Sequence, residues 1–578
     1  MAKQIYNNFI YGETDKYILG RTDLKAYLNS GSKIENFRLN YLGGLSKREG
    51  LSQIKELDKK TRIIEFVYSS DLAFLLLFSD KELRIVDTTT QEQIGEVIET
   101  QYKEEDLFDI QYAQNEESIY FVHIDYPIQV LDYVGNTFTF STFVCSCDDE
   151  HKDILTTENN YPSVVAFCSS RLYFASSRNK PFTIWISNAY EPSRFWTYTL
   201  GTSTVTEQCS FDEYPAYFEN WKNGNCKGAS MTYAYWYNNE LLGTSWWSAR
   251  LQQEGSSITP SYNDLLQTDT QLFGEVMTVE NTEEIKTYTD ENAMILELAS
   301  SKNDKITFIN ILHNIVVGTR SSEWILPYDL TPSNLKATKE SSYGSSFIQS
   351  ISMETELVFL QSSGCLRSMK YDYVNYNYPC EDRTIFNKEI LQSGVVEMKA
   401  QTTPYARLFC ILKDNTIAIL TKNELEGAYG WTRYKSDDLE FQSIAVAEVE
   451  GVQQVFITCK DKNEEDKYYL AKLDETKISD LDKGYAIVSE YISNPIESTS
   501  LQSLDSLKYG WNITLRTYDS TKYCVGFSDC ILQWSEGNKD IITIQVPTKW
   551  DNDLRLVIKS EKDRKLNISV MQINMGAS

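Results

Sequence analysis

Basic residues are scarce. Lys and Arg together number 55 against 82 Asp and Glu, a net charge of −27. That balance excludes a broad electrostatic grip on a phosphate backbone, which draws its affinity from Lys and Arg. It does not exclude nucleic acid passing nearby, because a negative wall repels phosphate instead of trapping it. Histidine is rarer still: His123, His151 and His313 are too few for a multi-histidine metal centre. No run approaches 18 apolar residues, so no membrane-spanning helix is expected. The opening Met1-Ala2-Lys3-Gln4-Ile5 lacks the long apolar stretch of a secretory signal. The sequence contains no GxxxxGK[ST] phosphate loop, no HExxH and no GxSxG elbow, which removes three common catalytic signals.

What is present reads as a folded, soluble, acidic protein. Of 578 residues, 42% are apolar and 24% charged, which excludes whole-chain disorder and collagen-like structure. The length suggests two to four domains, or one large all-β body. The eleven cysteines are scattered. The one close pair, Cys145 and Cys147, has a spacing that fits neither a CxxC redox motif nor a zinc knuckle, so the cysteines are expected to be buried free thiols made in a reducing compartment. Tyrosine supplies 38 of the aromatic residues, beside 25 Phe and 11 Trp. That bias suits half-buried pleated strands and large wet interfaces.

A strand-like run centred on Phe or Val recurs along the chain. Aligning on Phe74, Phe121, Phe174, Val317, Phe359, Phe409 and Phe456 gives steps of 47, 53, 143, 42, 50 and 47 residues. Each run lies close behind another strand-like segment, such as Ile63–Tyr68 or Val395–Gln401, and most precede a third, such as Leu83–Asp87 or Thr416–Thr421. Asn136–Phe143, Phe195–Leu200 and Trp431–Lys435 read as fourth strands. Small sheets recurring at such a spacing are the signature of a β-propeller, because one small twisted sheet cannot cover both its faces and must stack on neighbours. The expected fold is therefore all-β, a propeller of about seven blade-like units over residues 61–490; a series of β-sandwich domains is the competing architecture. The 143-residue step predicts an insertion over 205–289, rich in Tyr and Trp, that is either a decorative subdomain or a projecting functional loop. Residues 1–60, with glycines at 12, 20, 31, 43, 44 and 50, read as an extended arm with turns, and 491–578 as a small C-terminal β domain.

Asp461–Asp466 begins like a calcium loop but has Asp466 and Lys472 where Gly and Glu are required, so a solvated hairpin is expected. No catalytic, cofactor-binding or metal-binding residue is assigned. Propellers also host glycosidases, which work with two facing carboxylates; no stretch matches the repeated Asp-box of sialidase-type propellers.

Particular strings carry a family resemblance: Asn8-Phe9-Ile10-Tyr11-Gly12-Glu13, Leu19-Gly20-Arg21-Thr22-Asp23-Leu24, Gly43–Gly50, Asp106–Gln114, His123 to Pro127, Tyr161–Ser163 with Arg171–Ala175, Gly318-Thr319 with Glu323-Trp324, Leu330-Thr331-Pro332, and Ser342-Tyr343-Gly344-Ser345. In this order, over residues 8 to about 435, they resemble the tail nozzle, tail tubular B or stabilisation-protein family of short-tailed phages. The insertion and the C-terminal region depart from that pattern. The resemblance implies a non-enzymatic virion protein of the tail, assembled in the host cytoplasm as a ring, usually hexameric, below the portal and its adaptor. Its implied partners are further copies of itself, the head-to-tail adaptor, and tail fibres or a plug protein; genomic DNA would pass transiently through the lumen without stable binding. Six copies would carry six times −27, or −162, so ring interfaces must be locally neutral or screened. Within the insertion, Tyr235, Trp236, Trp246 and Trp247 are the candidate channel gate. The alternatives are a propeller glycosidase acting on host surface polysaccharide and a non-catalytic adhesion propeller.

Overall fold

The computed structural model describes residues 2–148, 155, 157–209, 226–237, 240–250, 273–298, 304–423, 425–481, 483–496, 507–528, 532–536, 540–546, 548, 550–551, 553–560 and 564–577. For residues 2, 200–209, 226–237, 240–250, 273–285, 536 and 575–577 it describes the backbone alone. The chain forms two compact units, one of residues 1–195 with 294–578, the other of Trp196–Ala293.

The first unit is a propeller-like ring of small antiparallel sheets. Blade 1 holds Arg62–Ser69, Leu72–Ser79, Glu82–Asp87 and Gln93–Glu99. Blade 2 holds Gln111–Asn115, Ser118–His123, Tyr126–Val134 and Thr137–Thr142. Blade 3 begins with Val164–Cys168, Arg171–Ala175 and Thr183–Ile186, and takes Met294–Glu297 as its fourth strand. Blade 4 holds Ile306–Ile311, Ile315–Thr319, Glu323–Leu326 and Thr338–Ser341, and blade 5 holds Ile351–Met353, Glu356–Leu360, Leu366–Lys370 and Cys380–Asp382. Blade 6 holds Val395–Gln401, Arg407–Leu412, Ile417–Asn423 and Ala428–Tyr434. Blade 7 holds Leu439–Val449, Val452–Asp461 and Tyr468–Asp474, and its fourth strand is Gly50–Leu57 from near the start of the chain, paired antiparallel from Tyr468↔Leu57 to Asp474↔Gly50.

The seven residues that mark the sequence period each fall in the second strand of a blade, and all are at most 1% exposed. That position is covered on both faces, which is why it reads as a nearly continuous apolar run. Outer strands such as Thr137–Thr142 and Thr338–Ser341 are largely exposed. Shared apolar cores join blades 1 and 2 (Phe74 with Phe121), 3 and 4 (Ile184 with Val317), 4 and 5 (Val316 with Phe359), 5 and 6 (Val358 with Met398), 6 and 7 (Phe409 with Ile457), and 7 back to 1 (Phe456 with Leu75). Phe143 against Phe174 bridges blades 2 and 3. The sheets stay open individually; their stacking runs round to its start.

Behind blades 6 and 7 lies a two-sheet β domain. One sheet contains Ala2–Tyr6, Phe37–Leu39, Leu45–Lys47, Lys508–Thr517, Ile541–Gln545 and Asn567–Ala577. The other, made of Gly31–Glu35, Glu490–Ser493, Leu556–Ser560, Lys522–Phe527 and Gln533–Glu536, continues blade 6 through a parallel contact at Glu35↔Arg433. Phe9, Phe37, Tyr491, Tyr523, Phe527 and Ile568 fill the core between them.

Three boundaries differ from the sequence reading. Residues 1–60 are not laid out as an arm. Their short strands are pieces of sheets whose other members come from the far end of the chain, a pairing no local pattern reveals. Phe195–Leu200 is not the fourth strand of blade 3: Arg194–Phe195 pairs in parallel with Ser146–Cys147, and the chain leaves for the second unit before returning to complete the blade. The inserted unit, expected over 205–289, spans Trp196–Ala293. Glycine is required where the chain start meets the ring. Gly12 has φ +64, and a Cβ there would lie 2.2 Å from the Trp431 carbonyl oxygen; one on Gly50 would lie 2.3 Å from that of Ser479. Among the described residues, no helix is long and apolar enough to cross a membrane. Of the cysteines expected to be buried free thiols, Cys168, Cys410, Cys459 and Cys524 are buried, whereas Cys145, Cys147, Cys365 and Cys380 are free but partly exposed.

A buried ionic knot fastens the chain start to the ring. Glu49 accepts from Arg38 at 2.8 Å, Arg407 of blade 6 at 2.9 Å and Tyr434 at 3.0 Å, while Arg48 forms a two-pronged pair with Asp480. Burial pushes the Glu49 carboxyl up, but Arg407 and Arg38 outweigh it and hold it down at about 2. A carboxyl with a folded-state pKa below its unfolded one stabilises the fold above the unfolded pKa, and that contribution is lost as pH falls toward the folded value. Acid titration from about pH 4.5 to 2 is therefore expected to remove roughly 3 kcal/mol through this group. Glu49→Gln should flatten that part of the stability curve in urea unfolding followed against pH.

Candidate functional site

The first strand of each blade lines the axis of the ring, and several carry charge in an otherwise apolar setting. Glu397 and Lys399 sit two apart on the first strand of blade 6, hence on one face. Arg62 and Glu65 come from the first strand of blade 1, and Tyr112 from that of blade 2. Arg62 Nε donates to Glu397 Oε1 at 3.0 Å, and its Nη1 to the carbonyls of Leu107 at 2.7 Å and Ile110 at 2.6 Å. Glu397 Oε2 also accepts from Ser443 Oγ at 2.6 Å and the Ile444 amide at 3.1 Å, both of blade 7. Lys399 Nζ meets both oxygens of Glu65 at 2.6 and 2.7 Å and touches the Tyr112 hydroxyl, which itself bonds Glu65 at 3.1 Å. Four blades are thus tied across the centre by two cations and two carboxylates.

The electrostatics are those of a structural knot. Burial pulls the Lys399 ammonium down, but Glu65, Tyr112 and Glu397 outweigh it, so it is held charged, above its ordinary value. Burial and Glu65 together push the Tyr112 hydroxyl up, so it stays protonated. The space left between Arg62, Tyr112, Gln349, Glu397 and Lys399 is about 20 Å³, enough for one water. Sugar hydrolysis needs one protonated and one free carboxylate with a ring between them. Here each carboxylate faces its own cation and no ring fits. Among the described residues, no group of three or more His, Cys, Asp and Glu is placed to hold a metal ion. The calcium-loop-like run at 461–466 forms the hairpin between Val452–Asp461 and Tyr468–Asp474, where Asp461 accepts from Tyr485 at 2.7 Å and Lys483 at 3.0 Å.

A larger cleft of about 230 Å³ opens on the seam between blade 7 and the two-sheet domain. Arg38, Lys47, Lys477 and Lys565 line it beside Glu49, Glu475, Asp519 and Tyr518. Arg38 is paired across the seam with Glu475 at 2.6 Å and Lys565 within the two-sheet domain with Asp519 at 3.0 Å, which makes the cleft a joint between elements.

The gate candidates fall in the second unit. Its antiparallel sheet runs Thr199–Cys209, Phe273–Thr287, Cys226–Tyr237, Glu240–Arg250 in spatial order. Tyr235 pairs with Gly243, Trp236 with Leu241, Trp246 with Thr232 and Trp247 with Met231, so all four stand on one two-stranded ribbon. Their side chains, the turn expected at Asn238-Asn239, and His151 lie outside the described residues.

No protein-family model and no curated protein matches the chain. Among solved structures it is similar to the WD40 domain of Neurospora crassa Pan2 (8% identity, 74% of this chain and 95% of that chain, TM-score 0.34). It is similar also to the β-propeller domain of Myceliophteria thermophila Cps50 (Swd1) (8%, 73% and 100%, 0.39) and to the WD40 repeats of RRP9 (7%, 74% and 100%, 0.36). Likenesses this distant say nothing of activity, and the propeller-like architecture stands on the sheets described above.

None of Arg62, Glu65, Tyr112, Glu397 and Lys399 stands out in the sequence as a functional residue. The mark they leave is a charge at alternate positions inside short apolar strands, as in Val396-Glu397-Met398-Lys399, and it becomes meaningful only once those strands are known to face an axis. Lys399→Met should cost about 1–3 kcal/mol, because the partly buried Glu65, its side chain 22% exposed, loses its cation. Adding Glu65→Leu should recover most of the loss, read as midpoint shifts in urea.

Proposed function

We propose that the chain is a non-catalytic, ring-forming structural subunit of a short phage tail, placed below the portal and adaptor, where the ring closes and then conducts the genome exit channel. The observation that carries this reading is the ordered set of strings quoted from the sequence, together with where they fall. Asn8–Glu13 and Gly43–Gly50 bind the chain start to blades 6 and 7. Asp106–Gln114 crosses from blade 1 to the axial knot. Arg171–Ala175 is the buried second strand of blade 3. Gly344, at φ +74 against the Arg320 carbonyl, is the turn leading from blade 4 to blade 5. These strings sit at joints of the body, as a subunit under mechanical stress requires, whereas Leu19–Leu24 lies at the surface. Net charge −27 suits a lumen that must not retain DNA. The polysaccharide-cleaving alternative has no support at the axis, where both carboxylates are neutralised.

The gate is assigned to the ribbon carrying Tyr235, Trp236, Trp246 and Trp247, with further copies of the chain, the adaptor, and fibres or a plug as partners. Mass spectrometry of purified virions should find the chain in stoichiometric, multi-copy amount, and electron microscopy should show it as a ring with a central hole. Its absence from virions would remove the reading. Particles in which Trp236 and Trp246 are both replaced by Ala should assemble but retain less DNA, measured as nuclease-sensitive genome released on storage.

A further inference from the structure

Three consecutive blades expose tyrosine at the same topological position, the loop after the third strand. Tyr190 of blade 3 is 79% exposed, Tyr328 of blade 4 is 49% exposed, and blade 5 shows Tyr373, Val374 and Tyr376 at 71, 82 and 80%. The loops are joined along one rim. The Tyr190 amide donates to the Ser170 carbonyl at 2.9 Å, and the neighbouring Ser169 hydroxyl donates to the Tyr328 carbonyl at 2.7 Å. The Tyr328 amide donates to Asn314 Oδ1 at 3.2 Å, and the adjacent His313 ring stacks on Tyr371 at 4.1 Å, with Tyr373 edge-on to Tyr371 at 4.8 Å.

The display is rigid. Asp372 accepts from the amides of Val374 at 2.8 Å and Asn375 at 3.3 Å and from the Asn375 side chain at 2.7 Å, and the Tyr376 amide closes the turn onto the Asp372 carbonyl at 2.9 Å. Tyr376 and Tyr190 both sit at positive φ, +53 and +62. That conformation costs a bulky residue on the order of 1 kcal/mol or more, and neither ring is buried in return.

We propose that this tyrosine arc is where a second copy of the chain docks. The argument is one of charge and area. Two molecules that each carry −27 repel wherever their acidic surfaces meet, whereas none of the five residues is charged: of the carboxylates beside them, Asp372 is engaged by the amides of its own turn, Glu191 is paired with Arg194 at 3.1 Å, and Asp329 is the one exposed carboxylate next to Tyr328, with the exposed Lys370 on the same rim. At about 200 Å² per aromatic side chain, the four tyrosines scaled by their exposure offer, with Val374, roughly 600 Å², short of but comparable to the ~800 Å² that one partner contributes to a specific interface. The proposal deepens the ring reading by naming a contact between its subunits, and rests on it for the setting.

The test is sedimentation of the full-length protein at physiological salt. Wild type should self-associate, and Tyr373→Ser with Tyr376→Ser should weaken the association at least about tenfold, while Trp534→Ser, on the two-sheet domain, leaves it unchanged; unaltered thermal unfolding shows that the variants fold. A wild type that stays monomeric up to on the order of 100 µM, or a double variant that associates as tightly as wild type, would overturn the proposal. The two readings fail separately. Virions built equally well with the double variant would sink the arc and spare the tail role. Tyrosine-dependent association of a chain absent from virions would do the reverse.

Discussion

The whole ring depends on one strand pairing made across most of the chain. Blade 7 begins with three strands at Leu439–Asp474 and is finished only when Gly50–Leu57 lies against Tyr468–Asp474. Without that strand, the last sheet would present an open edge, and the contact through which Phe456 and Ala445 meet Leu75 and Leu77 would lose its outer support. The loop closed by this pairing is long, but closure entropy grows only logarithmically with length, so the extra cost over a short loop is a few kcal/mol. Many buried apolar contacts round the ring are available to offset it.

Charge is used inside this molecule as a fastener. Glu49, Arg407, Arg38 and Tyr434 bind the chain start to blade 6, and Arg62, Glu65, Glu397 and Lys399 bind blades 1, 6 and 7 across the axis. Each carboxylate meets a cation and further donors, the condition under which buried ions are tolerated. Such pairs add little net stability over apolar packing, but a misplaced strand leaves an ion unpaired, so they discriminate strongly among strand registers. A ring of near-identical sheets, in which one apolar blade could stack on the wrong neighbour, has particular use for that. The remaining acidity lies outside the knots.

Much of the ring was legible in the sequence because its second strands are buried on both faces. Phe74, Phe121, Phe174, Val317, Phe359, Phe409 and Phe456 mark them without exception. The parts that were not legible share one cause. Met294–Glu297 completes blade 3 from beyond the excursion Trp196–Ala293, Gly50–Leu57 completes blade 7 from the other end of the sequence, and Ala2–Tyr6 pairs with Met571–Met575. Hydrophobic periodicity reports which residues are buried, and is silent on which strand buries them. The axial charges were missed for a related reason: a Glu or Lys in a short apolar strand looks like a solvent-facing position until the axis is known. The tyrosine excess was visible from composition, but its concentration at equivalent loops of blades 3, 4 and 5 emerges only when the blades are aligned in space.

The most direct measurement is native-state hydrogen exchange of the amides in Gly50–Leu57, compared with those of Tyr468–Asp474. If the chain start closes the ring, the inward-bonded amides of both strands should exchange only through the same global opening, with equal protection and equal sensitivity to denaturant. If Gly50–Leu57 exchanges orders of magnitude faster, through a local opening that leaves Tyr468–Asp474 protected, the strand is an appendage and the ring is not closed by the start of its own chain.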